Sequence, residues 1–333
     1  MDRRKFIASG VIALATSPLA ANAQTGGKLH RVAYLAPGES GASQSTMARL
    51  SLEAFKQGLR ELGWVEGQTV LIEYRFAEGH YERLPGLAAE LVRLKPDVIA
   101  ATTTPAVVAA KRLTNEIPIV MFSVGDPVGL GLVASLARPG GNVTGLTYGV
   151  GVENVGKQLE LLKQAFPKTR RVAILSNPDN PSAAPAVSNV KIAAHEFSIE
   201  PKFVQARVAE ELDRAFAAMT MERCEALLVV SDPMFGVQRE RVAALAIQSR
   251  LPSMHGVREL VEAGGLMFYG PDVPDNFRRG AGYVDKILRG AKPGDLPVQQ
   301  PIKFQFVINR KTARELGLTI PPSLLLRADE LVS

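Results

Sequence analysis

The chain has 333 residues, enough for two hydrophobic cores, because single cores rarely grow past about 250 residues. Its 46% hydrophobic and 22% charged residues exclude a disordered chain, a collagen-like repeat and a multi-span membrane protein. The single Cys224 forms no intramolecular disulfide, the four histidines are scattered, and the net charge of +6 is spread among interspersed acids and bases, so metal, cofactor and nucleic-acid partner are not expected.

In chain order, the first element is an address. Asp2, Arg3, Arg4 and Lys5 precede an apolar stretch at 6–14, and Ala21-Asn22-Ala23 is followed by Gln24. A basic start, a short apolar run and an A-x-A site define a secretory signal peptide over residues 1–23. The apolar run falls short of the ~20 residues that span a bilayer, so no stable membrane anchor is expected. Arg3-Arg4 fits either a twin-arginine export signal or an ordinary basic start, and both routes stay open. The expected place is the periplasm.

Apolar runs rich in β-branched residues follow at 31–35, 70–76, 97–101, 117–122, 142–146, 172–175, 201–204, 226–230, 251–255 and 266–269. Helix-period stripes lie between them: Leu52, Phe55, Leu59 and Leu62; Leu84, Leu87, Leu91 and Leu94; Val155, Leu159, Leu162 and Phe166. Such alternation builds parallel sheets covered on both faces. RVAYLAP at 31–37 is echoed by RVAILSN at 171–177, as though the second half restarts the first. The expectation is α/β, with two doubly wound parallel-sheet lobes.

Four strands run into a polar residue before proline: Thr104-Pro105, Asp126-Pro127, Asn177-Pro178 and Asp232-Pro233. Each reads as a helix start, with the polar side chain accepting orphan N–H groups and proline giving up a donor it does not need. Capping alone accounts for any one of them. Collectively they sit where open α/β sheets bind ligands, and helix N-termini there suit an anionic group.

The segment SVGDPVGLGLVASLARPGGNVTG at 123–145, supported by LGWVEG at 62–67, IEYR at 72–75 and NRKTARELGLTIP at 309–321, resembles the bacterial ABC-transporter substrate-binding proteins of the tryptophan/tyrosine type. The resemblance implies a type I periplasmic-binding-protein fold: two lobes joined by three hinge strands, one small-molecule ligand in the cleft, and an ABC permease with its ATPase as partner. It implies crossings near 147–151, 270–274 and 297–302. The lobes would then be 28–147 with 274–300 and, opposite, 148–273, with 301–333 as a C-terminal segment belonging to either. A monomer is expected.

On this resemblance the ligand contacts fall on Ser40, Gly41, Thr103, Thr104, Ser123 and Asp126 in the first lobe, and on Asn177, Asp232 and Tyr269 in the second. Hydroxyls and N–H groups of the first lobe would hold a carboxylate. Asp232 is the candidate partner of an ammonium group, against a competing role as a cap before Pro233, and Tyr269 of an apolar or aromatic ligand body. Tyr148 and Phe122 are further aromatic candidates, Phe122 also reading as core.

Other signals point elsewhere. GESGA at 38–42 approaches the G-x-S-x-G nucleophile elbow, so an exported hydrolase using Ser40 is an alternative to a receptor that catalyses nothing. A ligand sensor for a membrane signalling protein is another. Trp64 reads as a plug between helix and sheet or as a ligand stack, Cys224 as a small buried hydrophobe, and Arg278, Arg279, Lys286 and Arg289 as a solvated helix face.

Overall fold

The computed structural model describes residues 29–149 and 153–333. The expected signal peptide over 1–23 and part of the first crossing, at 150–151, lie outside these residues.

Among the described residues, twelve strands form two separate sheets. The first contains β1 (His30–Ala36), β2 (Val70–Phe76), β3 (Val98–Thr102), β4 (Ile119–Gly125) and β5 (Val143–Gly149), all parallel, in the order β2-β1-β3-β4-β5. The second contains β6 (Arg171–Ser176), β7 (Glu200–Gln205), β8 (Ala226–Val229), β9 (Ser253–His255), β10 (Met267–Pro271), β11 (Phe304–Asn309) and β12 (Glu330–Val332), in the order β12-β11-β10-β9-β8-β6-β7. The ten strands expected from the sequence all overlap observed ones. β11 and β12 were not foreseen, and they place the C-terminal segment in the second sheet.

Helices α1 (Thr46–Glu61), α2 (Leu84–Arg93) and α3 (Thr103–Leu113) cover the first sheet. Around the second run α4 (Glu153–Ala165), α5 (Ala183–Glu196), α6 (Leu212–Met221), α7 (Pro233–Val237), α8 (Arg239–Gln248) and α9 (Glu259–Glu262). After β10 comes α10 (Val273–Leu288), and after β11 come α11 (Arg310–Glu315) and α12 (Pro322–Leu325). Central strands such as β3, with sequence VIAAT, are buried throughout because helices cover both faces.

α10 leaves the second sheet and packs on the first. Its inward residues Phe277, Ala281 and Val284 join Phe55, Leu59 and Phe122 in one core. The approach is close: a Cβ added at Gly280 would lie 2.0 Å from the Phe122 ring, and one at Gly58 2.8 Å from Ala281, so glycine is required at both. The chain then returns. Gln299 accepts from Thr147 N at 3.0 Å and donates its own N–H to Gly145 O at 3.0 Å, which lays the returning segment beside β5. It re-enters the second sheet at the edge from which β10 departed, so β11 must run antiparallel to β10. That single reversed pair makes the second sheet mixed rather than purely parallel.

Of the four expected helix starts, only Asp232 caps one, accepting from Met234 N at 2.9 Å ahead of α7. Thr104-Pro105 lies inside the first turn of α3, whose cap is Thr102. Asp126 and Asn177 instead close Asx-type turns, accepting from Gly129 N at 2.9 Å and Asp179 N at 3.0 Å. A short polar side chain that can reach a backbone N–H two or three residues on serves a turn as readily as a helix.

Trp64 packs between α1 and α10, donating Nε1–H to Asp285 Oδ1 at 2.8 Å. Phe122 is fully buried core and Cys224 is half-buried. On α10, Arg278 pairs with Glu61 at 2.7 Å and Arg289 with Asp285 at 2.6 Å, as a solvated face does. No helix of the described residues is long and apolar enough to cross a membrane.

Candidate functional site

Both sheets point the carboxyl ends of their strands at a shared cavity of roughly 290 Å³, near the small end of the about 300 to 1,000 Å³ typical of ligand sites. The strand ends converge there because the parallel strands in each lobe leave their helix-start loops on one side. The first sheet contributes the ends of β1 to β5 and the start of α1. The second contributes the ends of β8 and β9, the loop before α5 and the first turn of α4, while β10 and α10 add Phe268 and Phe277.

The first-sheet rim is strained. Thr103 has φ +61°, Ser123 φ +57° and Asp126 φ +38°, all in the left-handed region that favours glycine and that a β-branched threonine enters only under constraint. Most other non-glycine residues with positive φ, such as Lys95, Ser198, Arg223 and Arg250, follow helix ends, where that conformation is routine. At the rim, Thr103 and Asp126 instead directly follow β3 and β4, and Ser123 lies within β4. At Ser123 the β4–β5 register shifts as well, a bulge that redirects the side chain.

The rim also holds unpartnered polar atoms. Thr103 Oγ1, Ser123 Oγ and, across the cleft on α4, Asn154 Oδ1 are buried without a hydrogen-bond partner, and all three residues line the cavity. The N-cap of α3, Thr102, bonds no backbone N–H through its side chain, so the first N–H groups of this 11-residue helix keep the partial positive charge of a helix start. Thr104 staples the rim by accepting from Gly125 N at 3.2 Å. Hydroxyls, free helix N–H groups and a close-packed backbone together fit a ligand carboxylate.

The second-sheet rim is saturated. The Asp232 carboxylate, 2% exposed, accepts from Met234 N at 2.9 Å, Asn180 Nδ2 at 2.8 Å, Asn177 Nδ2 at 3.2 Å and Tyr81 Oη at 2.9 Å. Burial pushes its pKa up to about 6, although all four donors pull the other way. Every one of them is uncharged. Asn180 Oδ1 in turn accepts from Ser182 Oγ at 2.8 Å, and Ser182 packs against Gly125 of the other rim.

Tyr81 precedes α2 and belongs to the first lobe, so its bond to Asp232 crosses the cleft. Arg239 Nη1 also reaches across to Glu39 Oε2 at 3.1 Å, Ser45 Oγ to Glu259 Oε1 at 3.2 Å, and Tyr148 Oη to Gly256 O. The cleft is closed.

Of the nine residues expected from the sequence, Thr103, Thr104, Ser123, Asp126 and Asp232 line the cavity. Ser40, Gly41, Asn177 and Tyr269 are not among the residues that line it. Ser40 N donates to Glu78 Oε2 at 3.2 Å, Gly41 is exposed in a left-handed turn, and Asn177 supports Asp232 from within its lobe. The Tyr269 ring stacks on Phe304 at 5.8 Å, committed to the unforeseen strand β11. The fully buried His255 places Nε2 2.8 Å from Ser253 Oγ, and burial drives its pKa down to about 3. Sequence reasoning missed Tyr81, Glu39, Asn154, Asn180, Arg239 and Glu259. Only Asn180 carried a signal, lying in the Asn/Pro-rich loop at 177–181.

A family model described as ABC transporter substrate binding protein matches residues 46–332. The chain belongs to that family. A curated relative, the tyrosine-binding protein of Clostridioides difficile (strain R20291), is 26% identical over 266 residues, 80% of this chain and 76% of its own. Among solved structures, an ABC domain in complex with L-Trp from Streptococcus pneumonia is 27% identical with a TM-score of 0.84, covering 91% of this chain and 100% of its own. The ligand-free, open structure of a substrate-binding protein from Clostridium difficile is 24% identical with a TM-score of 0.66, covering 92% and 99%. The fold is that of type I periplasmic binding proteins. In this substrate-binding protein the closed cleft places its unpartnered groups on the wall of a space of single-metabolite size.

Proposed function

We propose that this substrate-binding protein is the periplasmic receptor of an ABC importer that holds one L-amino acid, with aromatic side chains among those accepted, and passes it unchanged to a permease driven by an ATPase. Residues 1–23 direct export. The chain acts as a monomer, its lobes being 28–147 with 274–300 and, opposite, 148–273 with the C-terminal segment.

Convergence of two strained, unpartnered hydroxyls on the free start of α3 carries this reading. Thr103, Ser123 and the first N–H groups of α3 hold the ligand carboxylate, with Thr104 fixing the loop. Asn154 Oδ1, an acceptor without a partner, receives the ammonium. Tyr34, Phe76 and Phe277, which line the apolar part of the cavity, flank the side chain. The names of the tyrosine-binding relative and of the L-Trp complex point to the same ligand class. Because the ligand would touch both lobes, its binding shifts the population toward the closed form.

Thermal unfolding of protein refolded free of carried-over ligand tests the proposal. L-tryptophan or L-tyrosine raises the melting temperature with concentration, while tryptamine, which lacks the carboxylate, does not. Equal stabilisation by tryptamine, or no shift with any amino acid, overturns it.

A further inference from the structure

Gly125 is the last residue of β4, between Ser123 with its unpartnered hydroxyl and Asp126, and its N–H is given to Thr104. Nothing in its own lobe calls for glycine there. Gly145 of the same sheet needs its φ of +127° and a Cβ on it would lie 2.3 Å from Met121 O, whereas Gly125 stays out of the left-handed region. A Cβ added at 125 would meet no atom of the first lobe within 4 Å, its chain neighbours aside. It would meet Ser182 of the facing lobe, at 3.1 Å from Cβ and 3.6 Å from Oγ. Carbon atoms at rest stand about 3.5 to 4.0 Å apart. Only the opposite lobe therefore demands the bare backbone. At Gly79, by contrast, φ +82° already calls for glycine, so its 3.3 Å approach to Val237 adds nothing.

We infer that Gly125 is a positioning residue: its bare backbone is the seat on which the loop before α5 rests, and a side chain there props the cleft ajar and weakens ligand binding. The inference rests on the receptor reading above, which assigns the ligand carboxylate to the rim beside this seat.

Ser182 has little room to yield. Asn180 Oδ1 accepts from its N–H at 3.0 Å and from its Oγ at 2.8 Å, and Asn180 is bound in turn to Asp232 through Nδ2 at 2.8 Å. A change of rotamer would move the Ser182 oxygen but not Cβ, which is the nearer atom. The seat is held as well, because the N–H of Gly125 is fastened to Thr104 Oγ1 at 3.2 Å. With both partners fixed within their own lobes, the overlap is relieved by moving the lobes apart. Gly125 and Ser182 line the same cavity as Thr103 and Ser123, so a gap between them admits water to the groups that would hold the carboxylate, and hydrogen bonds weaken as water returns.

Calorimetric titration with L-tryptophan tests this. Gly125→Ala is expected to weaken binding about five-fold and Gly125→Val about thirty-fold, as overpacked contacts do, with denaturant unfolding of ligand-free protein unchanged. In a Ser182→Gly background, Gly125→Ala should cost less than about two-fold, because its Cβ no longer has a neighbour to meet. A side chain that merely disturbed its own lobe would lower stability and cost the same in both backgrounds. That result, or undiminished affinity in Gly125→Val, overturns the inference and leaves the receptor reading standing.

If L-tryptophan does not bind the natural chain, the receptor reading fails, and the inference is decided on ligand-free protein. Glu39→Cys and Arg239→Cys replace a pair 3.1 Å apart across the mouth, with Cys224→Ser removing the native thiol. A short bismaleimide joins the two new thiols faster the more often the mouth shuts. Adding Gly125→Val should slow the joining about ten-fold, and adding Ser182→Gly to that should restore most of the rate. Equal rates with and without Gly125→Val overturn the inference.

Discussion

The two rims of the cleft are built from the same kind of loop and treated in opposite ways. On the first, Thr103 and Ser123 are strained and keep their hydroxyls unpartnered; on the second, Asp232 is surrounded by donors with none left over. Strain and unmet hydrogen bonds cost stability and persist where a guest repays them, whereas a satisfied network fixes shape. Under the proposed function, recognition therefore falls to the first rim together with Asn154 of α4, and alignment of the lobes to the Asp232 network.

Removing the Asp232 carboxylate sharpens this contrast most. Asp232→Ala leaves Asn177, Asn180 and Met234 N without their acceptor inside the second lobe, and unfolding free energy is expected to fall by about 2 to 4 kcal/mol. Denaturant unfolding of ligand-free protein reads this directly. If stability holds and only affinity for an amine-bearing ligand is lost, Asp232 is a ligand partner and the division between rims is wrong.

The first rim should respond in the opposite sense. Thr103→Gly relieves a left-handed threonine and is expected to leave stability unchanged or raise it by up to about 1 kcal/mol. The same change deletes a hydroxyl from the cavity and should weaken amino-acid binding about ten-fold, near 1.4 kcal/mol. Ser123→Ala, which keeps the strain and removes only the oxygen, should lose a similar factor with no change in melting temperature. A loss of stability together with retained affinity would show that these hydroxyls serve the fold.

How much of this was legible in the sequence follows from which effects are local. β-branched runs and leucine stripes disclosed ten strands and the twinned plan, because burial on both faces writes itself into composition. β11, reading FQFVIN, was missed because its partners are a strand 33 residues earlier and one at the very end of the chain. Thr103, Ser123 and Asp126 were legible as strand-end polar residues, but not their left-handed backbone, which at Ser123 coincides with the bulge in β4. Tyr81 and Asp232, 151 positions apart, meet across the cleft, and no spacing rule reaches that far. Ser40 and Tyr269 show the converse: a suitable residue type after a strand, but outside the cavity lining, with Ser40 N bonded to Glu78 and the Tyr269 ring stacked on Phe304.

The smallest effect is expected from the pair at the mouth of the cleft. Glu39 and Arg239 cross between lobes at 3.1 Å, yet each side chain keeps 21% of its surface exposed, so water screens their attraction and closure gains little from it. Arg239→Gln should weaken ligand binding by about two-fold, within about 0.5 kcal/mol, and the difference should vanish in high salt. The saturated rim beneath it should be far less sensitive to salt, because the Tyr81–Asp232 bond is buried away from counterions. Affinity measured across ionic strength in Arg239→Gln and Tyr81→Phe separates the two. If Arg239→Gln costs as much as Tyr81→Phe and stays costly in high salt, closure is governed at the mouth, and the buried carboxylate is only a fixture of its own lobe.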